Sequence, residues 1–118
     1  MKDLIWLGDS LAVVRTFPPT VRDDVGFALY VAQLGQMHRS AKPLHGLGGG
    51  VVEIVSNDLS GTYRAIYTVT VGDAIYAIHA FQKKSKSGIA TPKKEIELIR
   101  QRIRDLKTEV RNAKKRSS

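Results

Sequence analysis

Arg64, His79, Phe81 and Lys83 are the residues of this chain whose types could do chemistry together. Two cations beside an imidazole can hold an anionic group and move a proton, and an aromatic ring can stack on a planar one. They fall in the stretch TYRAIYTVTVGDAIYAIHAFQKKSK, residues 62–86. Residues 63–71 are dense in β-branched and aromatic types, Gly72-Asp73 is a turn signal, and residues 74–81 form a second apolar run. Two such runs around a two-residue turn predict a β-hairpin.

The turn sets a register. With Val71 opposite Ala74, Ile66 faces His79 and Arg64 faces Phe81. Side chains alternate along a strand, so Arg64, Ile66, Thr68, Ile75, His79, Phe81 and Lys83 share one face. Tyr63, Ala65, Tyr67, Tyr76, Ile78, Ala80 and Gln82 share the other, more apolar face, which is the expected core side. A one-residue slip would separate His79, Phe81 and Lys83 from Arg64. Each residue also has a purely structural use: Arg64 paired with Glu53, His79 filling the sheet face, Phe81 in the core.

Charge marks the same region. The chain of 118 residues has a net charge of +8. Residues 1–81 sum to −1, and residues 82–118 carry thirteen basic against four acidic residues. An excess confined to one end points to a polyanion or an acidic protein as partner. Residues 114–118 read as a disordered basic tail.

One domain is expected at this length. There is no cysteine, hence no disulfide framework and no thiolate metal site. His38 and His45 stand in a loop without a carboxylate between them, so neither a metal site nor a cofactor is expected. The run Gly48-Gly49-Gly50 lacks the spacing of a nucleotide loop. No apolar stretch approaches the roughly 20 residues of a membrane span, and no secretory leader is evident. A cytoplasmic location is the expectation.

The elements that would position the cluster follow from pattern. Residues 4–7 form an edge strand or the lead-in to a helix. Asp9-Ser10 offers an N-cap for a short helix that Phe17-Pro18-Pro19 ends. Val21, Val25, Ala28, Leu29 and Ala32 recur at helical spacing, with Gly35 as the stop. Residues 36–50 read as a loop, residues 51–55 as a strand and residues 56–61 (SNDLSG) as a turn. Thr91 and Pro92 open a last helix as N-cap and first residue. Its narrow apolar seam, Ile96, Ile99, Ile103 and Leu106, packs on the sheet or receives a partner helix. The expected fold is α+β: a helical hairpin on a three-stranded antiparallel meander, room for a short N-terminal strand, and a C-terminal helix.

This order, with YRAIYTV on the central strand, resembles the RelE/ParE superfamily of bacterial toxins. There a YR-x-x-Y-x-V strand precedes an apolar strand ending in basic residues. AFQKKSKSGIAT at residues 80–91, followed by Pro92-Lys93-Lys94, resembles more closely the phage-derived branch of RelE-like and HigB-like toxins. The similarity spans nearly the whole chain. It implies a type II toxin with a helix-turn-helix antitoxin as partner. RelE-like members cleave mRNA on the ribosome without metal, the RNA 2′-OH attacking its own phosphodiester. Arg64 matches the family's strand arginine, and Lys83 falls nearest the basic residue ending the next strand. The resemblance thus makes Arg64, Lys83, Lys84 and His79 the catalytic candidates, with Phe81, Gln82, Lys86, Lys93 and Lys94 on RNA. The C-terminal catalytic tyrosine of better-known RelE enzymes has no counterpart, since no Tyr follows Tyr76. ParE-like members share the fold and inhibit gyrase without catalysis, which is the alternative function. An inactive prophage remnant is the third.

Overall fold

A computed structural model of the chain describes residues 1–83 and 91–117. The elements are β1 (Leu4–Trp6), α1 (Ser10–Arg15), α2 (Pro19–Gln33), β2 (Ala41–Pro43), β3 (Val51–Asp58), β4 (Gly61–Thr68), β5 (Ile75–Lys83) and α3 (Lys93–Ser117). The α+β class is as expected, but the sheet is larger than a meander. It has five strands in the order β1-β5-β4-β3-β2, with β1 parallel to β5 and the other pairs antiparallel.

One strand was not visible in the sequence, and another is longer than its pattern suggested. β2 lies inside the stretch that reads as a loop. Its three residues have no alternating pattern, and it exists because Ala41, Lys42 and Pro43 pair with Ile54, Glu53 and Val52. Proline is tolerated there because β2 is an edge. β3 runs on through Ser56, Asn57 and Asp58, which read as a turn. Those polar residues pair with Tyr63, Thr62 and Gly61, which leaves Leu59-Ser60 as the two-residue connection.

The β4–β5 hairpin also differs from its expected form. β4 stops at Thr68, so the segment to Ile75 is a loop longer than the two-residue turn of Gly72-Asp73. From Thr62↔Lys83 to Ile66↔His79 the register is as expected, and then it shifts so that Tyr67 faces Ala77. Ile78 is the extra residue of a β-bulge. Ile78 and His79 therefore both meet α3: Ile78 packs with Ile66, Ile99 and Ile103, and His79 bonds to α3 side chains. Beyond the bulge the faces exchange. Ile75 joins the core under the helical hairpin, whereas Tyr76 lines a groove with Val110 of α3.

The sheet thus carries a core on each face. On one side Val21, Val25, Ala28, Leu29 and Ala32 of α2 pack on Val52, Ile54, Tyr63, Ala65 and Tyr67. On the other, Ile99 and Ile103 of α3 pack on Val51, Ile66 and Ile78, with Leu47 from the β2–β3 loop. The seam of α3 is consequently core: Ile99, Ile103 and Leu106 are buried and Ile96 is half-buried. It does not offer the open face for a partner helix that its spacing allowed. Asp9 stands at the N-cap of α1 without capping it through its side chain. Helix α3 continues through residues 114–117, where the sequence suggested a disordered tail.

Candidate functional site

Adjacent strands β3, β4 and β5 deliver Glu53, Arg64 and His79 to the face that α3 covers. Glu53 pairs opposite Ile66, and Arg64 lies two residues from Ile66 on the same face, so the two charges are diagonal neighbours across the ladder. Arg64 Nη1 donates to Glu53 Oε2 at 2.8 Å and to Thr91 Oγ1 at 3.2 Å. Thr91 Oγ1 donates in turn to Glu53 Oε2 at 3.0 Å. The pair is dry, with the Arg64 and Glu53 side chains 6% and 1% exposed. Lys42 reaches the same carboxylate from the edge strand at 3.9 Å, and its side chain is largely in solvent.

Thr91 was expected to cap α3. Its hydroxyl belongs to the Glu53–Arg64 pair instead, and the Pro92 carbonyl accepts from the N–H groups of Glu95 and Ile96. The start of α3 is thereby tied directly to the buried charges.

His79 is held on both ring nitrogens. Nδ1 meets Arg102 Nη1 at 3.2 Å, and Nε2 meets the Glu95 carboxylate. A guanidinium only donates, so Nδ1 is the acceptor and the proton sits on Nε2, facing Glu95. Arg102 also donates to the Ile78 carbonyl at 2.9 Å and to Asp9 Oδ1 at 2.9 Å. Those contacts with Arg102 hold the Asp9 carboxyl below its ordinary value of 3.8, the hydrogen bond being the largest cause. Gly8 makes room for the guanidinium: a Cβ there would stand 2.8 Å from Arg102 Cζ. The ring of His79 stacks on Phe81, with centroids 5.5 Å apart and planes 24° apart.

The structure brings some of the sequence-derived candidates together and not others. Arg64, His79, Phe81 and Lys83 share one face, as the register required. All four are buried, so Phe81 is not an open stacking platform. Gln82 points to solvent with its amide on the Ser60 carbonyl at 2.9 Å, away from that face. Lys93 and Lys94 are exposed on the first turn of α3. Lys84 and Lys86 lie outside the described residues. Glu95, Arg102 and Thr91 had not been counted as site residues. Glu95 and Arg102 are seven apart, one face of a helix, which is the signal that could have found them.

Among the described residues no three His, Asp or Glu side chains gather as a metal site would require. No helix there is long and apolar enough to cross a membrane. A sequence profile for the family described as phage derived protein Gp49-like matches residues 12–104. The chain belongs to that family. Gp49-like proteins are associated with RelE-like and toxin–antitoxin proteins, and the match is not directly to RelE or ParE. Comparison with curated proteins gave no match. The matched span of the Gp49-like domain runs from α1 to the middle of α3, and so includes Glu53, Arg64, His79 and Arg102.

Proposed function

We propose that this Gp49-like domain is the toxin of a type II toxin–antitoxin pair and a metal-independent, ribosome-dependent mRNA endoribonuclease. The observation that carries this reading is the convergence of Glu53, Arg64 and His79 from three adjacent strands, with Lys83 on the same face. In the reaction the RNA 2′-oxygen bonds to the adjacent phosphorus, its proton leaves to a base, and the 5′-oxygen departs with a proton from an acid. Arg64 opposes the charge that builds on the phosphoryl oxygens. Lys83, Lys84 and Glu53 are candidates for the base, and His79 with its Nε2 proton is the candidate acid. Access to these groups requires the first turn of α3 to leave, because Thr91 and Glu95 occupy Arg64 and His79. An antitoxin that held α3 down would silence the site.

A second reading draws on the same burial. Arg64 already neutralised by Glu53 suits a structural role, and the domain would then act by binding, in the manner of gyrase inhibitors. Purified domain added to translating ribosomes decides between them. Primer extension should show new ends inside the translated message. Intact mRNA together with inhibited supercoiling would replace the ribonuclease reading with the second.

A further inference from the structure

The two flanks of α3 differ in charge. The apolar seam runs Ile96, Ile99, Ile103, Leu106 and Val110, buried at its three middle residues. One residue past Ile96 stands the exposed Glu97, and one past each of the later steps stand Arg100, Arg104, Lys107 and Arg111, all exposed. Their spacing of four, three and four places them in one line along the helix, with neighbours about 5–6 Å apart at Cβ. The row is about 16 Å long at the α-helical rise. One residue before the seam the side chains are Glu95, Leu98, Arg102, Asp105 and Glu109. There the single cation, Arg102, is bound to Asp9.

Each flank faces a different edge of the sheet. Arg102, Asp105 and Glu109 line a cleft with Leu7 and Gly8, beside β1. Lys107 reaches the β2–β3 loop at the opposite edge, where a Cβ on Gly48 would lie 3.7 Å from its Nζ. Leu47 anchors this loop in the core under α3. On either side of it, a Cβ on Gly46 or Gly49 would meet nothing within 4 Å, so the backbone is open to close approach. Among the described residues none of the four cations of the row is ion-paired.

We infer that this flank of α3, with the glycine loop beside it, is a docking surface for the phosphate backbone of a nucleic acid, apart from the buried Arg64 cluster. A protein partner would want apolar or aromatic anchors at the centre of its footprint, and the row carries none. A phosphate backbone needs only regularly spaced cations, and arginine adds bidentate geometry. With nothing aimed at base edges, the surface positions the strand and does not read sequence. It deepens the ribonuclease reading by giving the substrate strand a track, yet it does not require that the cluster cleave.

The test is fluorescence anisotropy on the full chain, with a labelled single-stranded RNA and a DNA duplex, across a salt series. Four phosphate contacts predict a log–log salt slope of about −3 on the single strand. Arg104→Gln with Arg111→Gln should flatten it by about 1.4 and weaken binding by about tenfold or more near 0.1 M salt. Arg15→Gln with Arg22→Gln removes the same charge from the helical-hairpin side and should change binding less than about twofold if position matters, not net charge. Equal losses from the two pairs would overturn the proposal. So would binding to poly-glutamate but to neither nucleic acid, which would make the partner an acidic protein. DNA offers no 2′-OH, so binding on that arm stands or falls independently of cleavage. Circular dichroism checks that the variants are folded.

Discussion

Replacing Arg64 by Met should destabilise the domain before it tells anything about catalysis. The carboxylate of Glu53 is 1% exposed and takes its shortest hydrogen bond, 2.8 Å, from Arg64. Removing one partner of a buried pair costs about 3–5 kcal/mol, because the other charge stays in a dry site. Whole domains are stable by only about 5–15 kcal/mol. At about 4 °C per kcal/mol for a chain of this size, the melting temperature should fall by about 12–20 °C. Replacing both residues, Arg64→Met with Glu53→Leu, removes both charges and should recover most of the loss. Thermal and urea melts followed by circular dichroism measure each corner of the cycle. A single variant that melts within about 2 °C of the parent, less than 1 kcal/mol at that conversion, would refute the claim that the pair is buried and mutually dependent. The practical consequence is that loss of activity in Arg64→Ala or Arg64→Met alone cannot be assigned to chemistry.

Three further outcomes follow from the packing and the titrating groups. Ile99→Ala should cost about 2–5 kcal/mol in a urea melt, since Ile99 is 0% exposed between α3 and the sheet. Asp9→Ala should cost less than about 1 kcal/mol at pH 7, because the carboxylate is 61% exposed. A carboxyl held below its ordinary value stabilises the fold above that value and loses the effect as pH falls through the lowered one. The difference between parent and Asp9→Ala should therefore vanish in acid, and a gap that persists there would count against the Arg102–Asp9 contact. Burial pushes the Tyr67 hydroxyl above its ordinary 10.0. Its contribution is present below pH 10 and lost as pH rises beyond it, so Tyr67→Phe should resist alkaline unfolding better than the parent.

The stripe of α2 and the seam of α3 were legible because each repeats at helical spacing and is buried as that spacing demands. Pairing of Arg64 with Phe81 was legible from strand alternation, but the bulge at Ile78 was not. It is set by α3, which takes both Ile78 and His79 on one side, and that demand lies some twenty residues away in sequence. β2 was hidden because an edge strand of three residues is defined by its partner and not by its own pattern. Glu53 was visible only as a structural partner for Arg64. The Arg102–Asp9 contact joins residues 93 apart, a separation no local pattern encodes.

Mapping RNA 5′ ends in cells that produce the domain tests the central claim most directly, with the parent compared to Arg64→Met/Glu53→Leu at matched level and stability. The ribonuclease account predicts growth arrest with new ends inside translated messages for the parent, and neither for the double variant. Growth arrest without new ends, or the same ends from the double variant, would contradict it.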